Sequence, residues 1–226
     1  MNGLLDAAFV LLILSTFMML GSSRLRFGIR VLAFQGVVVG AAALLLPNHE
    51  MSLRVIVIVA LTTALDAIVF PILLLRAVRT AGVEREAAPP VGYTASILVG
   101  VALLTACIWG VKYGELRLPH EGANPLELPV AAYTMLAGLF LIVARNNALN
   151  QVLGYLVMEN GIFLAGLSTA MEVPLLIEMG ILLDVFIMVM VMGVALFHIS
   201  RTFDSIEVGG MTALTDWPGT EEDVGN

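Results

Sequence analysis

Seven apolar stretches dominate this chain: 3–21, 28–47, 53–75, 93–112, 128–144, 148–170 and 174–198. A span needs about 20 mostly apolar residues to cross a hydrocarbon core about 30 Å thick. No water inside that core satisfies backbone N–H and C=O groups, so each run must close its own hydrogen bonds as a helix. The predicted fold class is therefore all-α and polytopic, with seven transmembrane helices embedded in the lipid bilayer. Only 13% of the 226 residues are charged, against about 25% in a soluble domain. The first run lacks a basic n-region and a small-residue cleavage site, so it is expected to be a retained span rather than a signal peptide.

The loops between the runs orient them. With the N-terminus outside, the inside loops hold Arg24, Arg26, Arg30, Arg76, Arg79, Arg85, Arg145 and Arg201. The outside loops then hold Arg54, Lys112 and Arg117. Basic residues concentrate on the cytoplasmic side, which predicts N-out, C-in, as a multi-pass protein of the plasma (inner) membrane. Residues 202–226 form an acidic cytoplasmic tail, and its segment VGGMTALTDW carries anchors that could dock on a partner. The net charge of −7 reflects mainly this tail, and nucleic acid is not an expected partner. The single cysteine, Cys107, cannot form an internal disulfide or hold a metal cluster. There is no phosphate-binding loop, dinucleotide fingerprint, zinc motif or nucleophile elbow. Any redox or hydrolytic chemistry is expected on other subunits.

Internal similarity suggests a duplication. LAFQGVVVGAAAL (32–44) aligns with LVMENGIFLAGLS (156–168), which sets Gln35 opposite Glu159. LDAIVF (65–70) resembles LDVFIM (183–188), which sets Asp66 opposite Asp184. The predicted plan is a 3+1+3 parallel repeat. Residues 1–80 form an N-terminal three-helix repeat, and 81–127 hold a linker helix and loops. Residues 128–201 form the C-terminal repeat, followed by the tail.

Carboxylates within the spans are the candidate functional groups. An acid near the midplane costs about 2.5–3.5 kcal/mol on insertion scales, so its presence calls for a reason. Glu159 falls about 16 Å into its span and Asp184 about 15 Å into its own, close to the middle of the core. Asp66 is the third such acid, and Pro71 is expected to kink the helix just after it. Glu178 lies shallower, near the outer end of the last span, and completes the set. A buried carboxyl favours its neutral form and can exchange a proton near neutral pH, which suits a proton relay. The alternative is an acid kept protonated and hydrogen-bonded to a neighbouring helix for packing alone. Asn147, Gln151, Tyr155 and Glu159 are spaced four apart and define a slanting polar ridge that could carry water. Ordinary interhelical hydrogen bonding explains such a ridge equally well. Gly154, Gly161 and Gly166 suit close helix approach.

The stretch RNNALNQVLGYLVMENGIFLAGL (145–167), with IEMGILLDVFIMVMVMG (177–193) and the tail segment VGGMTALTDW, resembles component E of the hydrogenase-4 and formate hydrogenlyase family. The last three spans are similar to the K-type subunit of respiratory complex I and to the C subunit of multisubunit cation/proton antiporters. The resemblance implies a non-catalytic subunit of a membrane arm, beside antiporter-like subunits and the anchor of a soluble redox arm. Iron–sulfur clusters and a [NiFe] centre would sit on those partners, with no cofactor in this chain. The two carboxylates of the K-type subunit would correspond to Glu159 and Asp184. Family members often carry lysine where this chain has Asp66, so the case for Asp66 rests on burial. Two other readings stay open: a subunit of a cation/proton antiporter without a redox arm, and a scaffold that moves nothing.

Overall fold

A computed structural model describes residues 2–22, 24–45, 53–81, 91–114 and 124–168, and the isolated positions 180, 189 and 193. Among these residues the regular structure is entirely helical. The helices are α1 (Asn2–Gly21), α2 (Leu25–Leu45), α3 (Leu53–Ala64), α4 (Phe70–Ala81), α5 (Tyr93–Tyr113), α6 (Glu127–Ala144) and α7 (Ala148–Ser168). A π-helical turn, Leu65–Val69, joins α3 to α4 as one rod. Among the described residues, five segments are long and apolar enough to cross a membrane: Gly3–Gly21, Leu25–Leu45, Val59–Arg79, Tyr93–Tyr113 and Glu127–Ala144. α7 matches them in length, but Asn150, Gln151, Glu159 and Asn160 make it more polar. The span predicted at 174–198, with Glu178 and Asp184, lies outside the described residues, and so does the tail.

Two predicted boundaries shift for physical reasons. The second helix starts at Leu25, not 28, because the Arg24 carbonyl accepts the N–H of Phe27 at 3.1 Å and of Gly28 at 3.0 Å. The third runs on to Ala81, past the expected end at 75. Arg76 and Arg79 in its last turns can lay their stems along the apolar surface and keep their charges in water.

The expected effect of Pro71 takes a specific form. Proline removes an N–H donor, and its ring clashes with the carbonyl four residues earlier, here Ala67. The helix relieves this by widening: the Phe70 N–H donates to the Leu65 carbonyl, five residues back. Such single π turns recur at functional sites, and this one contains Asp66.

Packing in a membrane depends on close approach rather than on expelling water. α6 and α7 form the most extensive helix pair, and glycine makes it possible. A Cβ on Gly154 would lie 2.9 Å from the Ile142 nitrogen, and one on Gly161 would lie 2.8 Å from Met135 Cα. One on Gly138 would meet the Gly154 carbonyl oxygen at 2.7 Å. Gly154 and Gly161 are two turns apart on one face, so the seam is a line of backbone contact. α2 is central and touches α1, α3, α4 and α7. Local hydroxyls look after themselves. Thr16, Thr105 and Thr134 each donate to the carbonyl four residues back, at 2.8 Å.

Candidate functional site

The site is best built from α2 outward. Thr16 Oγ1 donates to the Leu12 carbonyl at 2.8 Å, so its hydroxyl can only accept from another group. Gln35 Nε2 donates to it at 3.2 Å. That contact fixes the orientation of the Gln35 amide, and Oε1 points elsewhere. Gln35 is fully buried, and its Oε1 has no hydrogen-bond partner among the described residues.

Contacts set the register of α2 against its neighbours. A Cβ on Gly28 would lie 3.2 Å from Leu153 Cδ1 of α7. α2 and α7 run in the same direction, so a step of seven residues on each, about 10.5 Å, leads from Gly28 to Gln35 and from Leu153 to Asn160. Seven residues nearly restore the same helix face. Gln35 and Asn160 therefore share one height at the α2–α7 interface. Asn160 is 2% exposed, and its Nδ2 has no hydrogen-bond partner among the described residues. A buried acceptor and a buried donor thus stand at one level on adjacent helices.

The other side of α2 carries Asp66. A Cβ on Gly36 would lie 2.8 Å from Asp66 Cβ. Gly40 faces Thr63 one turn further along, so the two helices are antiparallel. Asp66 is half-buried. Glu159 precedes Asn160 and is rotated about 100° from it; it too is half-buried. Asp66, Gln35, Asn160 and Glu159 form a polar layer at one height of the bundle: Asp66 lies against α2 at Gly36, and Glu159 is carried on α7.

The remaining predicted residues fall in different places. Tyr155 sits one turn before Glu159 and is half-buried. Gln151 Nε2 donates to the Arg145 carbonyl at 2.9 Å. Asn147 Oδ1 accepts the Leu149 N–H at 3.0 Å, a side-chain cap on α7. The first half of the ridge thus closes the α6–α7 turn. Asp184 and Glu178 lie outside the described residues.

Arg145, Glu127 and Asn160 are buried polar residues to which the sequence reading gave no site role. Arg145, read there as a loop charge, is 2% exposed. Its Nη2 donates to the Leu20 carbonyl at 2.8 Å, and its guanidinium lies 4.6 Å from the centre of the Tyr93 ring. A cation is favoured at a helix C-terminus, here that of α1. Glu127, read as a residue just before a span, is fully buried in the first turn of α6. Asn124 starts that turn: Oδ1 accepts the Leu126 N–H at 2.9 Å, and Nδ2 donates to Asp6 Oδ1 at 2.6 Å. The signal was present in N-P-L-E, an N-cap type residue followed by proline and then an acid. The third is the Asn160 amide, overshadowed by its neighbour Glu159.

This architecture defines a class: an integral membrane protein with apolar helices and a polar layer in its interior. Within it, the chain belongs to the family of the uncharacterized protein Rv0085 of Mycobacterium tuberculosis. The two are 32% identical over 214 residues, which cover 94% of this chain and 96% of the relative. The chain is also similar to hydrogenase-4 component E of Escherichia coli and of Shigella flexneri. There the identity is 34% over 117 residues, 52% of this chain and about half of each relative's length (53%). No family model matches the chain, and no solved structure matches it.

Proposed function

We propose that this chain is a membrane-arm subunit of a hydrogenase-type, complex I-like oxidoreductase, and that it takes part in redox-coupled proton translocation. Glu159 and Asp184 are the relay carboxylates. Asp66, Tyr155, Gln151 and Glu178 extend the polar path. Its partners are antiporter-like membrane subunits and the membrane anchor of a soluble redox arm, where iron–sulfur clusters and a nickel–iron centre reside. The seven-span, N-out, C-in arrangement and the 3+1+3 repeat belong to the same reading, as does similarity to the K-type subunit of complex I.

One observation carries the proposal. Glu159 sits half-buried in the middle of α7, on a helix held against α6 by glycine contacts. A carboxyl at that depth costs stability and so calls for a reason. The similarity to hydrogenase-4 component E supplies the class of complex. Replacement of Glu159→Gln in the assembled complex is expected to lower proton translocation about tenfold or more, as for loss of a proton-transfer group. Co-purifying partners would stay unchanged. Undiminished translocation would sink the relay role. Loss of assembly with normal translocation in the remaining complex would favour the scaffold. Iron and nickel assays on the same preparation separate a hydrogenase-type complex from an antiporter.

A further inference from the structure

The relay gives no part to two buried amides at the α2–α7 interface, Gln35 and Asn160. They are 0% and 2% exposed. Gln35 Oε1 is an acceptor and Asn160 Nδ2 a donor, and neither atom has a hydrogen-bond partner among the described residues. Gln35 Nε2 donates to Thr16 Oγ1 at 3.2 Å, so this amide cannot turn over without giving up that bond. The two groups stand at one height, yet they do not bond to each other. One molecule that accepts from Nδ2 and donates to Oε1 completes both. A metal cation is repelled by the N–H, and an anion by the carbonyl oxygen. Water suits the two together, and a buried water typically takes about three such partners.

Each amide has a carboxyl residue beside it. Glu159 precedes Asn160 on α7. Asp66 lies against Gly36, the residue after Gln35, where a Cβ would stand 2.8 Å from Asp66 Cβ. From this arrangement we infer that Gln35 and Asn160 hold one water, and that this water passes a proton between Glu159 and Asp66. The amides use one lone pair and one O–H of the water. Its other lone pair accepts the Glu159 O–H, and its other O–H donates to the Asp66 carboxylate. Transfer breaks the Glu159 O–H bond and forms one at the water oxygen, while the water's own proton passes to Asp66. Glu159 ends ionised, Asp66 ends neutral, and the water is restored. A carboxylate offers about four acceptor sites, so this contact is compatible with others that either acid makes. Gln35 and Asn160 take no proton themselves; they are positioning residues. The transfer step rests on the relay role proposed for Glu159, and the water site does not.

Two measurements test it. In magnetic resonance of the full-length chain in detergent, isotope-labelled at its asparagine side chains, the Asn160 amide is expected to show a cross-peak to a long-lived water. Gln35→Met should abolish that cross-peak. Gln35→Glu in its neutral form keeps one donor and one acceptor, and should retain it. In the assembled complex, Gln35→Met is expected to lower proton translocation about tenfold or more, the scale of a lost proton-transfer step. Asn160→Leu is an independent second variant with the same expected loss, and Gln35→Glu should recover most of the rate. Adding Asp66→Asn to Gln35→Met should cost no more than the worse of the two alone, as for residues that act as a unit. A native chain without the cross-peak, or a cross-peak that survives Gln35→Met, overturns the water site. A cross-peak lost in Gln35→Met with translocation undiminished overturns the transfer step. Undiminished translocation in Glu159→Gln removes the relay and the transfer step with it, while the cross-peak still decides the water.

Discussion

At the scale of single residues, the polar layer depends on an amide pair that neither amino acid announces by itself. Gln35 presents an acceptor and Asn160 a donor at one height, and neither atom is bonded among the described residues. Each such atom carries a desolvation cost of about 1–3 kcal/mol. A shared water is one way in which both atoms could be satisfied. Gln35→Leu and Asn160→Leu, made singly and together, should therefore show coupling in a detergent unfolding titration. About 0.6–1.7 kcal/mol is expected, the range for interhelical hydrogen bonds in a membrane. Single effects that add within about 0.3 kcal/mol would mean that the two amides do not communicate. Much of this layer was legible in the sequence. A carboxyl amid apolar residues is conspicuous, so Glu159 and Asp66 stand out in the sequence as candidates. Arg145 was not, because an arginine between two spans reads as solvated, and only the fold brings the Leu20 carbonyl and the Tyr93 ring to it. Gln35 was seen only as a counterpart of Glu159 by alignment. Spatial register instead sets it level with Asn160, and no one-dimensional comparison can supply that.

Among the elements, glycine decides where helices meet. Glycine positions are easy to read, and Gly154 and Gly161 were expected to allow close approach. Their partner was not readable: Gly138 and the Met135 backbone come from α6, whose rotation about its axis is set by tertiary contact. Gly161→Ala would push a methyl onto the Met135 backbone, which cannot move without shifting α6. The expected cost is about 1–3 kcal/mol, as for overpacking in a tight core. Gly3→Ala is the matched control, because a Cβ there meets nothing within 4 Å, and its effect should stay within about 0.5 kcal/mol. Thermal unfolding of both variants in the same detergent makes the comparison. Equal destabilisation would mean that the seam does not set the cost, since alanine is the better helix former at both positions. The π turn was legible in part. Pro71 pointed to a disturbance beside Asp66, but a kink and a widened turn are two ways to relieve the same clash. The choice rests on the tertiary setting, where Gly36 gives Asp66 room at the α2 surface.

Across the whole molecule, charge is distributed unevenly along the bundle axis. Arg24, Arg26, Arg30, Arg76, Arg79 and Arg145 occupy one end, while Lys112, Asp6 and Glu127 stand toward the other. The sequence showed the asymmetry because it is a count over short loops. The structure adds that one of those arginines is buried and that two share a cleft. If this end faces the cytoplasm, as the positive-inside rule requires, then thiol labelling of intact cells gives a clear test. The native thiol does not interfere, because Cys107 is buried within α5, inside an apolar span that a charged reagent does not enter. Tyr113→Cys, at an exposed residue on the last turn of α5, should react with a membrane-impermeant maleimide added from outside. Arg79→Cys, exposed at the opposite end, should react only after the membrane is permeabilised. The reverse pattern would place the arginines outside and invert the orientation. Labelling of both sites from outside would mean that one of them does not lie across the bilayer from the other. The two positions are separated by a single span, α5, so the result bears on that crossing directly and does not require the number of spans to be known.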